Sequence, residues 1–330
     1  MPDRGESTGQ PAASAREAEM FANRLRKRAR HLRKWARREQ ITCYRLYDRD
    51  IPEIPLVVDR YQDHLHISSY RRDSDRDRAA ATEWLAAMAD AAARALAVPQ
   101  TNIHVKQRAR QRGAWQYGRL DHTDQYIAVD EGGHRFLVNL RDYVDTGLFL
   151  DQRNLRARIG SEARGCRFLN LFCYTGSFTV YAAAGGARAT VSVDLSQRYL
   201  SWARRNLTMN RLSGPAHRFV RADIVDLLRC SRFPDRDEAP FDLVLLDPPT
   251  FSNSKKMNAV LDTKRDHAQL IAGALRLMGP GGVLYFATNA RGFQLDVGAV
   301  TAHSIEDLGD STRPPDFARR PPHRCFRIVK

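Results

Sequence analysis

The segment Phe241-Asp-Leu-Val-Leu-Leu-Asp-Pro-Pro-Thr-Phe251 brings an acid, two prolines and an aromatic ring close together. Its apolar first half predicts a buried strand, which Pro248 and Pro249 end because they lack an N–H and have a fixed φ. The rigid turn then projects Asp247 and Phe251 from the carboxyl end of the strand, where ligands bind in open α/β sheets. This combination suits a pocket for a flat base. An ordinary proline turn after a core strand is the alternative.

Three further predicted strands in this half of the chain also end in polar signals. After the first, Gly176 lets the backbone approach a ligand, and Ser177 opens a helix whose N–H groups face it. Asp194 ends the second strand and can accept two hydrogen bonds from a ribose diol. Asp223, just beyond the third, suits an adenine amino group. One such acid is usually a helix cap or a turn residue, but four signals at successive strand ends predict a nucleoside site.

Two adenosine-containing cofactors would fit these acids. NAD requires the pattern Gly-x-Gly-x-x-Gly, which brings a helix against its pyrophosphate. The turn Cys173-Tyr-Thr-Gly-Ser-Phe178 holds one glycine and no diphosphate cradle. S-adenosylmethionine (SAM) has no phosphate, so one glycine can suffice. The sequence therefore predicts SAM, although the usual methyltransferase turn is richer in glycine.

The net charge of +15 is concentrated near the amino end, because residues 21–40 hold nine Lys/Arg and one acid. Apolar residues recur there at helical spacing: Phe21, Leu25, Leu32 and Trp35. We predict a basic amphipathic helix over 19–40. Its charge suits RNA, DNA or an anionic membrane, and a solvated basic face without a partner is the alternative.

A second basic segment, residues 106–119, mixes five cations with aromatic rings. Arg110 and Trp115 represent the two kinds of side chain. Cations neutralise phosphates and rings stack on unpaired bases, so this segment is a candidate RNA contact. An exposed basic loop is the alternative.

Composition excludes several classes of protein. No run of 18 apolar residues is present, so we expect no transmembrane helix and no membrane partner. The first 16 residues lack the apolar core of a secretory signal, and we predict a disordered tail over 1–18. The five cysteines are scattered without C-x-x-C spacing, which indicates reduced thiols in a cytoplasmic protein and no metal site.

The site residues need a scaffold, and the pattern predicts two units. Short alternating runs around one Ala-rich helix predict a small α+β domain over 41–140, which binds RNA or substrate. Over 141–330, apolar strands alternate with helices. This predicts an α/β domain with a doubly wound, mostly parallel, Rossmann-like sheet.

Three motifs resemble the K half of the bifunctional 23S ribosomal RNA methyltransferase K/L family, which are class I SAM-dependent enzymes: Phe168-Leu-Asn-Leu-Phe-Cys-Tyr-Thr-Gly-Ser-Phe178, Val193-Asp194 and Asp247-Pro-Pro-Thr-Phe-Ser-Asn-Ser-Lys255. The segment Asp142 to Arg153 is also similar, and in that family it helps to close over the cofactor. The resemblance covers about residues 20–330. It implies methylation of guanine N7 in 23S rRNA. The family's L half has no counterpart here, so the resemblance implies a stand-alone K-type enzyme.

Pattern and resemblance together give the candidate site residues. The catalytic set is Asp247, Pro248, Pro249 and Phe251. The cofactor set is Asp151, Arg153, Asn170, Tyr174, Thr175, Gly176, Ser177, Asp194, Leu195, Asp223 and Asp247. The RNA-binding set is Arg24, Lys27, Arg28, Lys34, Arg110, Trp115 and Lys255.

The choice of target atom rests on chemistry. Methylation of cytosine C5 needs a cysteine thiolate that first adds to the ring. Related enzymes carry that cysteine in the region Thr288–Phe293, where this chain has none, and we expect Cys173 and Cys325 to be packing residues. Guanine N7 is nucleophilic in the neutral base, so in-line positioning suffices. Asp247 can favour the purine cation that forms while Phe251 stacks on the base. The base must be unpaired or flipped to expose N7.

We therefore predict a cytoplasmic monomer that uses SAM to methylate guanine N7 in 23S rRNA or in a large-subunit precursor, without a covalent enzyme intermediate. Two alternatives stay open. One is methylation of another base position, such as an exocyclic amine. The other is a non-catalytic RNA-binding ribosome assembly factor. A separate L-type methyltransferase chain is a candidate partner.

Overall fold

The computed structural model describes residues 9–70, 78–107, 121–230, 240–253, 260–319 and 322–330. The helices are α1 (Gly9–Arg38), α2 (Arg78–Leu96), α3 (Arg153–Glu162), α4 (Ser177–Ala184), α5 (Gln197–Met209), α6 (Ile224–Cys230) and α7 (Thr263–Arg276). The strands are β1 (Cys43–Asp48), β2 (Leu56–Tyr61), β3 (His64–Ser69), β4 (Ile103–Gln107), β5 (Ile127–Glu131), β6 (His134–Val138), β7 (Arg167–Leu171), β8 (Ala189–Asp194), β9 (His217–Arg221), β10 (Phe241–Leu246), β11 (Phe251–Ser252), β12 (Leu261–Asp262), β13 (Met278–Thr288), β14 (Ser304–Asp307) and β15 (Arg324–Val329). None of these helices is long and apolar enough to cross a membrane.

The amino-terminal unit is a four-stranded sheet in the order β1-β2-β3-β4. The first three strands are antiparallel, and β4 joins β3 in parallel. Helices α1 and α2 pack on this sheet in one apolar core. Phe21, Leu25 and Leu32 are fully buried there, and Trp35 is half-buried. The apolar side that we predicted for the basic helix is therefore its contact with the rest of the unit.

Helix α1 begins earlier than predicted. It starts at Gly9, so ten residues of the segment predicted as a disordered tail are helical. Four of these ten residues are alanine, which has the highest helix propensity. It also has a tertiary contact, because the indole of Trp84 in α2 donates a hydrogen bond to the carboxylate of Glu17.

The β5–β6 hairpin forms a separate two-stranded sheet. Val129 and Phe136 pack in one cluster with Val180 of α4 and Leu207 of α5. The same cluster includes Cys43 of β1 and Tyr61 of β2, so the hairpin contacts both units. Its position is set by where its apolar side chains are buried.

The second unit contains a seven-stranded sheet in the order β14-β15-β13-β10-β7-β8-β9. The five strands from β13 to β9 are parallel, and β15 is antiparallel to both of its neighbours. Helices α6 and α7 pack on one face, and α3 and α4 on the other. Helix α5 packs beside α4. This arrangement confirms the predicted α/β class with a mostly parallel sheet.

A buried ion network joins the two units. Arg153 donates from Nε to Glu131 at 3.1 Å and from Nη1 to Asp316 at 2.8 Å. Its Nη2 donates to the carbonyl of Cys43 in β1 at 2.6 Å. Arg156 donates to both carboxylate oxygens of Glu131, at 2.8 and 3.0 Å. All four charged side chains are buried, so the network holds β1, the hairpin, α3 and the turn before β15 in one arrangement.

The network corrects the prediction that Arg153 contacts the cofactor. Its guanidinium donates to two buried acids and one carbonyl, and its flat face lies over Trp35 with 5.3 Å between the guanidinium carbon and the ring centroid. A buried arginine needs paired acceptors, because an uncompensated charge there is very costly. Arg153 therefore serves the contact between the units.

We expect Arg153→Met to destabilise the protein strongly. The substitution keeps an apolar chain of similar length but leaves the buried carboxylate of Asp316 without its arginine, which costs about 3–5 kcal/mol. Chemical denaturation measures this change in the free energy of unfolding. Arg33→Met, at an exposed position of α1, is the control and should unfold like wild type. A wild-type denaturation curve for Arg153→Met would contradict the role given to the network.

Candidate active site

The carboxyl ends of the central strands lie in one row. Leu171 of β7 is paired with Leu246 of β10 on one side and with Val193 of β8 on the other. Asp247 and Asp194 each follow directly in this row. Neighbouring strands lie about 4.8 Å apart, so the two acids are separated by roughly 10 Å across the end of β7. The predicted convergence of polar signals at one edge of the sheet is thus present.

The turn after β7 has an unusual backbone. Phe172, Tyr174 and Gly176 have φ angles of +59°, +50° and +72°, in the left-handed region. Non-glycine residues there are strained, and such strain persists where the surrounding structure enforces it. A Cβ on Gly176 would lie 2.7 Å from the Cβ of Ala203 in α5. Glycine is therefore required both by φ and by the close approach of the turn to this helix.

Asp194 holds this turn in place. Its Oδ2 accepts from the N–H of Tyr174 at 3.0 Å, and its Oδ1 accepts from the N–H of Ser196 at 2.8 Å. Burial raises the pKa of Asp194 to about 6, against the opposing effect of these backbone hydrogen bonds. Each carboxylate oxygen has two acceptor positions. Acceptor capacity that the backbone N–H groups do not use would be available to a ribose hydroxyl.

The side chains of two predicted cofactor residues make hydrogen bonds within the protein. The hydroxyl of Thr175 donates to the carbonyl of Gly147 at 2.6 Å, and this side chain is buried. Asn170 donates to Thr179 of α4 at 2.9 Å inside the core. Both side chains therefore hydrogen-bond within the protein, and their contact with the cofactor stays a prediction. The Oδ1 of Asn170 is buried without a hydrogen-bond partner among the described residues and remains available as an acceptor.

The other predicted cofactor residues lie at the same edge. Ser177 is the first residue of α4, where N–H groups are available to a ligand. Leu195 is half-buried beside Asp194. Asp223 follows β9, and its Oδ1 accepts from the N–H of Val225 at 2.9 Å. This bond is a helix-cap contact, the alternative interpretation of such an acid, and the adenine contact of Asp223 stays a prediction.

Asp247 lies half-buried after β10 in an acidic setting. The side-chain amide of Gln152 donates a weak hydrogen bond to its Oδ2 at 3.4 Å. Burial raises the pKa of Asp247 to about 7, and the negative charge of Asp151 adds to this effect. A carboxyl with this pKa is available in both protonation states near neutral pH.

Phe251 is the exposed member of the predicted catalytic turn. Pro248 is buried and Pro249 half-buried, whereas the ring of Phe251 is 44% exposed. The ring sits on β11, which pairs with β12. An exposed ring on a short paired strand, four residues after Asp247 in the chain, can stack on a base.

The sequence missed the residues that surround Asp151. The Oδ2 of Asp151 accepts from His323 Nδ1 at 3.1 Å and from Asn289 Nδ2 at 3.3 Å. Burial alone would raise the pKa of Asp151, but the hydrogen bond and charge of His323 outweigh it and lower the pKa. His323 is 172 residues away along the chain, so no local spacing could reveal the pair. Gln152 lies within the segment from Asp142 to Arg153 that resembles the K/L family.

Two of the predicted RNA-binding cations face the protein. Arg24 forms an ion pair with Asp50, which is itself buried. Arg28 is half-buried and approaches the carbonyl of Asp316 at 3.5 Å, and burial lowers its pKa. Both lie on the side of α1 that packs against acids of the protein, and their contact with RNA stays a prediction.

The remaining predicted cations divide by position. Lys27 and Lys34 are exposed on the outer side of α1 and can reach an anion. Three predicted residues lie outside the described part of the chain: Arg110, Trp115 and Lys255.

The cysteines near the site are not nucleophiles. Cys173 in the turn and Cys325 in β15 are buried, and burial raises the pKa of both thiols well above the usual range. The thiolate, not the thiol, adds to a pyrimidine ring. Both residues therefore pack the core, as the sequence predicted.

Comparison with known proteins matches this geometry. The profile of an S-adenosylmethionine-dependent methyltransferase family matches residues 45–328. The ribosomal RNA large subunit methyltransferase K/L of Pseudomonas aeruginosa is 48% identical over 97% of this chain and 43% of its own length. The K/L enzyme of Ectopseudomonas mendocina is 49% identical over 98% of this chain and 44% of its own. The chain thus spans less than half the length of the curated relatives it matches, and its resemblance to the K/L family is confirmed.

Solved structures agree on the fold. A protein from Streptococcus mutans described as a SAM-dependent methyltransferase has a TM-score of 0.71 and 25% identity, covering 95% of this chain and 81% of that one. SMU.776, described as a methyltransferase in complex with S-adenosylhomocysteine, has a TM-score of 0.73 and 24% identity, covering 95% of this chain and 82% of its own.

We expect Gly176→Ala to weaken cofactor binding. The added methyl group clashes with Ala203, and a residue with a Cβ is strained at the positive φ of this position. The turn must therefore move away from Asp194. Titration calorimetry with S-adenosylhomocysteine should show at least a tenfold loss of affinity, or roughly 1.4 kcal/mol.

Gly165→Ala is the matched control. Gly165 has a φ of +73°, but its Cβ would meet nothing within 4 Å. This control should lose about 1–2 kcal/mol of stability, because alanine is strained in the left-handed backbone conformation. It should bind the cofactor normally. Normal binding by Gly176→Ala would show that the turn does not contact the cofactor.

Proposed function

Since the chain belongs to the S-adenosylmethionine-dependent methyltransferase family, we propose that it methylates guanine N7 in 23S rRNA. The observation that carries this proposal is that Asp247, with a raised pKa, and the exposed ring of Phe251 both follow β10 within five residues at the carboxyl edge of the sheet. The similarity to the K/L enzymes supports an rRNA substrate. Buried, protonated thiols in the described part of the site argue against a covalent route to cytosine C5.

The residues at the sheet edge fit SAM. Asp194 would accept from the ribose hydroxyls, and Asp223 would accept from the adenine amino group. The N–H groups at the start of α4 and the backbone of Gly176 would approach the rest of the molecule. Bound SAM supplies an electrophilic methyl group on a sulfonium. No phosphate has to be accommodated, which agrees with a single glycine in the turn.

Asp247 and Phe251 would act on the guanine. N7 carries its own lone pair in the neutral base, so the reaction needs alignment and stabilisation of charge rather than a proton acceptor. Methylation leaves a positive charge on the purine, and the carboxylate of Asp247 would stabilise it. Phe251 would stack on the base, while Pro248 and Pro249 keep the turn rigid. No covalent bond to the enzyme is formed.

A second candidate target is the exocyclic amine of a base. The pKa of about 7 for Asp247 is suitable for a general base, which amine methylation would use to accept a proton. The relatives' name leaves this choice open. The two reactions differ in the atom that is methylated, so they can be separated with substrate analogues.

The other parts of the chain would bind RNA. We propose that α1, through Lys27 and Lys34, and the β1–β4 unit hold rRNA or a large-subunit precursor. We propose that the protein acts as a cytoplasmic monomer in ribosome assembly. We also propose a separate L-type methyltransferase chain as a candidate partner.

We expect the rate of methyl transfer at saturating cofactor to rise between pH 6 and 8, with a midpoint about 7. The pKa of Asp247 is raised to about 7, so the carboxylate that stabilises the purine cation forms only as the pH rises through this value. Asp247→Asn should lower the rate by about a hundredfold and flatten the pH profile. Single-turnover assays with labelled SAM measure both effects. A wild-type rate for Asp247→Asn would contradict the role proposed for the Asp247 carboxylate.

The target atom can be tested with rRNA transcripts made with modified nucleotides. In 7-deazaguanosine, carbon replaces N7 but base pairing is kept, so we expect methyl transfer to this RNA to be abolished. A transcript with inosine lacks the 2-amino group but keeps N7, and we expect it to remain a substrate. Transfer to the 7-deaza transcript together with loss on the inosine transcript would instead identify the exocyclic amine.

A further inference from the structure

A second basic surface lies on the methyltransferase unit, away from α1. Residues 195–222 contain six arginines and no Asp or Glu. Arg198, Arg204 and Arg205 lie on the outer face of α5, and Arg211 follows its carboxyl end. All four are exposed. We call these four residues the α5 basic surface.

The position of α5 fixes which way the arginines point. Leu200, Ala203 and Leu207 are buried on the inner face of the helix, so the arginines must face outward. The helix is also well anchored, because its amino end starts at Ser196, whose hydroxyl accepts from the N–H of Tyr199 at 3.4 Å. The charged face is therefore a fixed feature of the surface.

Aromatic rings hold these guanidinium groups flat. The guanidinium carbons lie above ring centroids in three pairs: Arg198 over Tyr143 at 4.8 Å, Arg204 over Phe219 at 4.4 Å, and Arg205 over Tyr126 at 4.1 Å. Stacking restricts the side-chain rotamers and keeps each planar guanidinium group in one orientation at the surface. Less entropy is then lost when an anion binds.

The α5 basic surface starts at the active site and leads away from it. Tyr199 in the first turn of α5 packs edge-on against Tyr174, with 4.6 Å between ring centroids, and Tyr174 belongs to the turn held by Asp194. From Arg198 to Arg211 the chain advances about 20 Å at 1.5 Å per residue. A polyanion bound along α5 would therefore have one end beside the cofactor edge.

We propose that the α5 basic surface binds the phosphate backbone of the RNA strand that carries the target base. This inference rests on the proposed rRNA substrate and adds a contact that sequence analysis did not assign. Planar guanidinium groups match phosphate oxygens in a bidentate fashion. The other exposed residues of α5 are polar, namely Gln197, Ser201 and Thr208, whereas a membrane-binding helix needs an exposed apolar face.

The test uses the double variant Arg204→Gln/Arg205→Gln and an unmodified 23S rRNA transcript. We expect binding to weaken about tenfold at low salt and the slope of log K against log salt to become shallower by about 1.4, because two single-strand phosphate contacts are lost. The melting temperature and the affinity for S-adenosylhomocysteine should stay at wild-type values, since neither residue contacts the cofactor edge.

The matched control is Arg229→Gln/Arg276→Gln. These exposed arginines lie on α6 and α7, which cover the opposite face of the sheet, and the change in net charge is the same. We expect this control to bind the transcript with the wild-type salt slope. The inference is overturned if both double variants lose affinity equally, or if Arg204→Gln/Arg205→Gln binds rRNA normally and instead loses binding to anionic lipid vesicles.

Failure of the inference and failure of the proposed function are distinguishable. The proposed function fails if the wild-type protein binds and methylates rRNA but forms no 7-methylguanosine. The inference fails in the comparison of the two double variants, which measures binding alone and does not depend on the methylated atom.

Discussion

The buried pairing of Arg153 and Arg156 with Glu131 and Asp316 is the interaction on which the arrangement of this molecule depends. These charges come from α3, the β5–β6 hairpin and the turn before β15, and Arg153 also reaches the backbone of β1. Charged groups are stable in such a place only when each has its partner in good geometry. The network therefore defines how the amino-terminal unit sits on the methyltransferase unit.

The same network positions the active site. Arg153 directly follows Asp151 and Gln152, so anchoring its guanidinium fixes the short turn that presents both residues to Asp247. His323 and Asn289 hold Asp151 from the other side. The result is two neighbouring carboxyl groups in different environments. The pKa of Asp151 is lowered, whereas burial and the charge of Asp151 raise the pKa of Asp247 to about 7.

The sequence predicted what depends on local pattern. Parallel strands that end in polar residues must bring those residues to one edge, and Asp194 and Asp247 are there in register. Gly176 was identified from its place in the turn after β7, and the fold adds that this turn approaches α5 too closely for a side chain. The apolar side of α1 followed from helical spacing alone. These inferences required only the neighbours of each residue along the chain.

What the sequence could not predict depends on distant partners. Arg153 and Asp316 are separated by 163 residues, and Arg24 and Asp50 by 26, so composition marked these cations as free to bind a ligand when they were already paired. The bond between His323 and Asp151 spans an even longer separation. The arginines of α5 were visible in the sequence, but their significance depends on stacking against Tyr126, Tyr143 and Phe219, which only the fold brings close.

The identity of the methylated nucleoside tests the proposed methylation of guanine N7 most directly. Unmodified 23S rRNA is incubated with the protein and labelled SAM, digested to nucleosides and analysed by chromatography and mass spectrometry. We expect the label to appear in 7-methylguanosine. Label in another methylated nucleoside, with none in 7-methylguanosine, would contradict it.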